Sequence, residues 1–419
     1  MRSPRTLPRV PGSPARALNA PLLETLAKPP LAVEILKGSR QRRQELIRKI
    51  EAARKSRVLT YMCSDRPGLS THLGEDAVRP MYDVVRRLGV VDRLDLFLYS
   101  RGGSVEVPWR IVSMLREHCK RLGALIPFRA HSAATLIAMG CDEIVMGPKA
   151  ELGPIDPVLP RRATQDGTAS TEEDILVEDV MSYVAFLKDQ AGLASEGLLA
   201  DQMRILSERL SPWTLGKIYR LHSHIRQVAA KMLTAHANPL DQQAISRIVD
   251  TLAERGYSHS YAITRNEAKA LGLPLQAAEP GVEAAMWGLL EEYERMLEMR
   301  RPIDADAMLG KGVDEAETPQ MAAVIEATEM TWAYRGVLRV RRIRQTPQQL
   351  NINMKLGVTL PHGLPQDRIR QEIVDQLVNQ VRKDVPEFAR QQIRDQSAVV
   401  RVDARFQGSE WQDVTAEGV

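Results

Sequence analysis

The stretch FRAHSAATLIAMGCDEIVMGP, residues 128–148, sets Ser132 between an apolar run ending near Ala130 and an apolar helical pattern that begins at once. A serine at a strand-to-helix turn meets unpaired backbone N–H groups and the positive end of the helix dipole. Two roles suit that position. Serine is among the best N-cap residues and needs no reaction to justify it there. The same environment stabilises an oxyanion, the species that a nucleophilic serine generates on a carbonyl substrate. A second stretch, LFLYSRGGSVEVPWRI, places Gly102 and Gly103 between another apolar run and another helical pattern. Paired glycines let a backbone approach a ligand closely and turn an N–H toward it with no Cβ in the way. An ordinary tight turn also accounts for them.

The elements that must position these residues follow from periodicity. Short β-rich apolar runs occur at 57–63, 93–100, 124–130 and 142–147, the pattern of strands in a buried sheet. Helical patterns between them end at Gly89, Gly123 and Gly140, each suited to a left-handed C-cap. Such alternation predicts an α/β unit with a largely parallel sheet. Upstream, a charged helix is expected over 37–55. Residues 1–36 read as a flexible arm rich in proline and arginine, with seven prolines and four arginines by residue 30. Beyond Pro160 the pattern is mainly helical, at 171–192, 211–233 and 241–256, with a short strand and helix at 263–273 and a further helix near 281–300. A linker follows at 300–312. Alternating strands at 334–345 and 397–406 bracket a helix at 366–385, which predicts a small C-terminal α+β domain over 301–419, with no role assigned. The expected division is therefore 1–36, 37–300 and 301–419.

Composition bounds the function. The 419 residues are 44% apolar, and 57 basic residues nearly balance 53 acidic ones for a net charge of +4. No field points to nucleic acid or an anionic membrane. No run of 18 or more apolar residues occurs, so no membrane segment is expected. Cys63, Cys119 and Cys141 are odd in number and widely spaced. They fit neither a secreted disulfide framework nor a CxxC zinc site, and a reducing cytoplasm is the expected compartment. His222 and His224, two apart on one helix, do not share a face and make a poor metal pair. No GxGxxG fingerprint and no lysine in a recognisable cofactor setting occur, so neither cofactor nor metal is expected.

The order of parts, Gly102-Gly103, then AHSAATLIAMGCDEIVMGPKAELGPIDP (130–157), then SHSYAITRNEAKALGLPL (258–275), resembles the Clp/crotonase superfamily of serine peptidases. Within it, the sequence is most similar to the serine dehydrogenase proteinase branch, related to signal peptide peptidase A. The resemblance implies a Clp/crotonase-like α/β core of ββα spiral repeats, here with a helical extension and the C-terminal α+β domain. It implies Ser132 as nucleophile, with the amides of Gly103 and Ala133 as oxyanion hole. It also implies a peptide or protein substrate and a homo-oligomer. The histidine base of the Clp proteolytic subunit has no counterpart here, for Asp156 stands at the corresponding place, 24 residues after Ser132, where a carboxylate ordinarily caps a turn. Signal peptide peptidase A uses a lysine from later in the domain. Around 203–209 this chain reads MRILSER and offers arginines, which do not deprotonate. The nearest lysines are Lys188 and Lys217, each of use as a base only if burial depresses its pKa. His131 precedes the serine and diverges from it; His259 is the remaining histidine to consider. Arg101 replaces the proline common before the glycines and is suited to a substrate carboxylate or to solvent.

The expected function is thus that of a serine endopeptidase of Ser-Lys type, working through an acyl-enzyme on Ser132 with Lys188 as the lysine of choice. The alternative is a catalytically inactive relative serving as an oligomeric scaffold or interaction protein. A crotonase-type acyl-CoA enzyme would want glutamates near the hole, for which Glu106 and Glu151 are available.

Overall fold

The computed structural model describes residues 30–159, 175–192, 195–253, 261–310, 312–345 and 365–417. Residues 1–29 of the expected arm, and His259, lie outside the described residues. Helix α1 (Pro30–Arg54) leads into β1 (Arg57–Cys63) and two short strands, β2 (Asp65–Arg66) and β3 (Leu69–Ser70). The core then alternates through α2 (Val78–Leu88), β4 (Val91–Tyr99), α3 (Val107–Arg116), β5 (Cys119–Ile126), β6 (Arg129–Ala130), α4 (Ala133–Met139), β7 (Glu143–Met146) and β8 (Glu151–Leu152). Short strands β9 (Val158–Leu159) and β10 (Ile175–Leu176) precede four helices: α5 (Val177–Asp189), α6 (Glu196–Arg209), α7 (Pro212–Thr234) and α8 (Gln242–Ala253). The chain continues through β11 (Ile263–Thr264), α9 (Arg265–Leu271), β12 (Leu275–Gln276), α10 (Pro280–Met296) and α11 (Ala305–Leu309). It ends with β13 (Glu315–Glu326), β14 (Thr331–Gln345), α12 (Gln366–Gln396) and β15 (Ala398–Asp413).

One eight-stranded sheet runs in the order β12-β7-β5-β4-β1-β13-β14-β15. Its first five strands are parallel and its last three antiparallel. The parallel strands read as continuous apolar runs because both faces are covered. Leu59, Tyr61 and Cys63 of β1 face a core that also takes α2, α3, α4, α7 and α8, while Val58 and Met62 face a second core made with α1 and α10. A small sheet, β11-β8-β6, stands beside the carboxyl ends of the central strands.

Two expectations are corrected. The helix expected to run to Gly123 stops at Arg116, and Cys119–Ile126 is a central strand paired on both sides. Its flank CKRLG looks helical locally, but β4 and β7 supply ladder partners that outweigh propensity. Gly123 is no helix cap; a Cβ there would lie 2.2 Å from Asp95 Oδ1. Gly140 is likewise not left-handed, with φ −80°. Its missing side chain makes room for Val112 and Met232. Around the boundary expected at residue 301, the sheet is continuous: β13 adds directly to β1, with Thr60 opposite Glu326 and Cys63 opposite Ala323. The inner half of β13 is buried throughout, while its outer half alternates.

A buried ion pair fastens this junction. Arg43 on α1 and Glu326 on β13 are both fully buried, with Nε 2.7 Å from Oε2 and Nη2 3.2 Å from Oε1. The Tyr293 hydroxyl on α10 donates to Glu326 Oε2 at 2.7 Å and lies 2.8 Å from Thr60 Oγ1. The guanidinium also stands 5.5 Å from the Tyr293 ring centroid. Removing one member of a buried pair strands the other charge, at a cost of about 3–5 kcal/mol. Glu326→Ala is therefore expected to lower the free energy of unfolding by about that much, read from denaturant melts. A loss below about 1 kcal/mol would show that the pair does not fasten the junction.

Candidate active site

The ends of β4 and β6 are zipped together. Ser100 N donates to Arg129 O at 3.0 Å and His131 N donates to Ser100 O at 3.0 Å. This rung brings the next residues of the two chains, Gly102 and Ser132, side by side. Gly102 has φ +109°, and a Cβ built on it would lie 2.8 Å from Ser132 Cβ and 3.3 Å from Ser132 Oγ. Ser100 Oγ accepts the Gly102 N–H at 3.1 Å. On its far side the glycine pair is held by Leu73, whose N–H donates to Gly102 O at 2.8 Å while its carbonyl accepts Ser104 N–H at 3.0 Å. A Cβ on Gly103 would meet the Leu73 backbone at 2.3 Å. Only glycine fits either place.

Ser132 decides between the two roles open to it. Its backbone has φ 52° and ψ −117°, and its side chain makes no capping hydrogen bond to α4. A non-glycine residue held there costs on the order of 1–3 kcal/mol and persists only because its surroundings over-determine it. The sharp strand-to-helix turn does not fold the hydroxyl onto the helix as a cap. Helix α4 anchors the turn, for all seven of its residues are buried. Among the described residues, the Gly103 and Ala133 amides take no acceptor. They are the two amides that the resemblance implies as donors, and Ser132 itself is 8% exposed.

The segment after β7 runs alongside the serine. β8 pairs with β6 in parallel, Arg129 opposite Glu151 and Ala130 opposite Leu152. Gly153 N donates to Ala130 O at 3.2 Å, and Thr135 Oγ1 lies 2.7 Å from Ala130 O and 2.8 Å from Gly153 O. Three residues further on, Asp156 is buried, and its Oδ1 accepts the Glu178 N–H at the start of α5 at 3.3 Å. Burial pushes the Asp156 carboxyl up to about 6, with Asp179 adding to the rise and the Glu178 N–H opposing it. Asp156 thus accepts from the first turn of a helix distant in sequence, rather than from the local turn that its GPIDP context suggests, and its carboxyl is raised toward neutrality.

The other candidates lie as follows. Lys188 and Lys217 are exposed on α5 and α7. Lys188 sits three turns beyond Val177, about 16 Å along the helix. The His131 ring points to Glu151, Nε2 3.3 Å from Oε1, and burial pushes its pKa down. Glu151 is also bound by Arg129 at 3.0 Å, and Glu106 is exposed. Arg101 is bound to Asp65 at 3.2 Å, and Asp65 also takes Arg129 at 2.9 Å and the Tyr99 hydroxyl at 2.8 Å. Three contributors went unread in the sequence. Ser100 and Thr135 are polar residues beside the two motifs, a faint signal. Leu73 lies in a stretch with no periodicity and gives none.

Residues 26–166 match the family described as ClpP-like SDH-type serine proteinase. The serine dehydrogenase proteinase resemblance read from the sequence is therefore shown over the segment that holds Gly102, Gly103 and Ser132. The chain is 25% identical over 211 residues to the uncharacterized protein MJ0137 of Methanocaldococcus jannaschii, covering 50% of this chain and 62% of that protein. It is 30% identical over 126 residues to the uncharacterized protein MJ1495 of the same organism, covering 28% and 42% respectively. The matches thus span less than two thirds of either relative's length. Two solved structures of the 1510-N membrane-bound stomatin-specific protease are also similar, at 14% identity over 48% of this chain. One is a serine-to-alanine mutant, of which 72% is covered at TM-score 0.29. The other is a lysine-to-alanine mutant in complex with a substrate peptide, of which 68% is covered at TM-score 0.28. Among the described residues no helix is long and apolar enough to cross a membrane.

The close approach of Gly102 to the serine yields a test. Gly102→Ala is expected to displace Ser132 and to cut its reaction with a fluorophosphonate probe by about 100-fold or more, the scale of a lost oxyanion contact. Retained labelling in a folded Gly102→Ala variant would show that the approach is not needed.

Proposed function

We propose that the protein is a serine peptidase. Ser132 Oγ attacks a peptide carbonyl, and the Gly103 and Ala133 amides donate hydrogen bonds to the tetrahedral oxyanion that forms. Collapse expels the amine and leaves an acyl-enzyme, which water then hydrolyses. The observation that carries this reading is the positive-φ Ser132, uncapped, between two amides without acceptors. An inert scaffold gains nothing from holding that strain. The same observation favours acyl transfer to an active-site serine over acyl-CoA chemistry, since Glu151 is engaged by Arg129 and His131.

For the proton acceptor we favour Asp156 over the lysine expected from the sequence. Asp156 stands three residues beyond the last bond along the serine turn, and its raised pKa brings a carboxylate toward the range useful for general base catalysis near neutrality. Lys188 is exposed and displaced along α5, and would serve only if another part of the assembly covered it. Exposed Phe186, Trp213 and Tyr219 on α5 and α7 support self-association as part of this proposal. The free cysteines Cys63, Cys119 and Cys141 support a reducing compartment, and we assign the protein to the cytoplasm.

Fluorophosphonate labelling of the wild type, absent in Ser132→Ala, tests the reading; labelling that survives in the mutant removes it. With Asp156 as base, kcat/KM rises with pH through about 6, and Asp156→Asn abolishes the rise while Lys188→Ala keeps it. A Lys188-dependent inflection at higher pH would assign the lysine instead. Stability gives an independent readout. The folded-state pKa of Asp156 lies above its ordinary 3.8, so its protonated form favours the fold. That contribution is complete below about pH 4 and is lost as pH rises through about 6. Asp156→Asn is accordingly expected to raise Tm at pH 8 and to leave it unchanged at pH 3.5. No gain at pH 8 would show that ionised Asp156 costs the fold nothing.

A further inference from the structure

We infer that the C-terminal strands build a substrate subsite for a large apolar or aromatic side chain, beside the oxyanion loop. The inference rests on the peptidase reading above. One row of residues crosses the sheet on the side of Ser132: Cys63 of β1, Ala323 of β13, Tyr334 of β14 and Trp411 of β15 are successive cross-strand partners. Where that row reaches the carboxyl end of β1, a cavity of about 320 Å³ opens. Its lining joins the rings of Tyr61, Tyr334, Phe406 and Trp411 to Ala323 and to the polar residues Ser70, Thr71, His72, Asp76 and Ser409.

The rings hold one another at offset and tilted angles. Centroids are 5.3 Å apart for Tyr334 and Trp411, 6.1 Å for Tyr334 and Phe406, and 6.2 Å for Tyr61 and Trp411. Their polar atoms are already used internally. Trp411 Nε1 donates to Asp76 Oδ2 at 3.0 Å, and Ser409 Oγ donates to the Tyr334 hydroxyl at 2.7 Å. What the four rings offer is faces and edges, which suit an apolar or aromatic group. Tyr334, Phe406 and Trp411 are half-buried and so open on one side.

The cavity is tied to the reaction centre through the backbone. Leu73, bonded to Gly102 and Ser104 of the oxyanion loop, is the neighbour of His72, which lines the cavity. β14 lies three strands from β4 in the sheet, about 14 Å at the usual spacing between strands, which an extended peptide covers in about four residues. The occupant is therefore a side chain three or four residues from the scissile bond of an extended peptide. Tyr334, Phe406 and Trp411 lie outside residues 26–166, the segment matched by the family model, so this chain's own extension writes the preference.

A peptide series tests it, with a single Phe moved along an otherwise Ala/Gly sequence. In the full-length wild type, kcat/KM is expected to peak when Phe lies three or four residues from the cleaved bond, by about 10- to 100-fold over the all-Ala peptide. Trp411→Ala, which empties the cavity, and Ser70→Phe, which fills it from an exposed position, are each expected to reduce that ratio toward one, chiefly through KM. Two variants guard against a fold defect in either. No peak in the wild type, or a peak kept in both variants, overturns the subsite while fluorophosphonate labelling of Ser132 still upholds the peptidase. Should the wild type neither label nor cleave, the peptidase reading falls, and binding of the Phe peptide read by tryptophan fluorescence decides the cavity. Saturable quenching weakened 10-fold or more by Ser70→Phe upholds it as a peptide site, and its absence overturns it.

Discussion

The contact between Gly102 and Ser132 governs the site. Because the ends of β4 and β6 are joined by the Ser100–Ala130 bridge, the two following residues have almost no room between them, and a Cβ at Gly102 would overlap the Ser132 side chain. Glycine relieves one side of that squeeze. The other side is relieved by the serine backbone, which swings to φ 52° and turns its hydroxyl off the helix. Ala133 N–H at the start of α4 takes no acceptor among the described residues, and Leu73 holds the glycine loop through Gly102 O and Ser104 N–H so that Gly103 N–H is spared. The turned serine and the glycine loop beside it are therefore consequences of one crowded rung, and the strain is sustained by an entirely buried helix behind it.

The two ends of the parallel strands divide the work. At the amino ends, Arg54 binds Asp95 and Glu143, Arg93 also binds Glu143, and Ser56 Oγ donates to Asp95 at 2.6 Å. Those charges neutralise one another and leave nothing over for a substrate. At the carboxyl ends, among the described residues, two amides take no acceptor, and a carboxylate is held where burial opposes its ionisation. Ligands of open α/β sheets gather at this end, and here the electrostatic asymmetry gives the physical reason.

The parallel core was legible because its strands are buried on both faces and so written as unbroken apolar runs, with β1, β4 and β7 close to their expected limits. The order of glycine pair and serine was legible too, since both lie within a few residues of strand ends. Long-range causes were not. CKRLG carries helical residues and becomes β5 only because β4 and β7 wait on either side. The run MAAVIE in β13 was passed over beside a presumed linker, yet it is the strand that completes β1. Leu73 supports the oxyanion loop through its backbone, which leaves no mark on residue type. The pKa of Asp156 depends on burial by α5 and neighbouring loops, a property that its GPIDP context does not encode.

The junction between the family-matched segment and the rest of the chain bears on how far that segment stands alone. Without β13, the N–H and C=O groups on the outer side of β1 would be exposed as a sheet edge, a surface that proteins ordinarily cover or blunt. Without Glu326, Arg43 would be left charged and buried between α1 and α10, with the Tyr293 hydroxyl also deprived of its acceptor. Residues 315–326 are thus integral to the core sheet. Once β13 is fixed there, β14 and β15 follow by antiparallel pairing, and their aromatic residues are carried to the rim beside Leu73. The extension that completes the sheet is also the one that walls the aromatic cavity, so stability of the core and the shape of that cavity are written into the same strands.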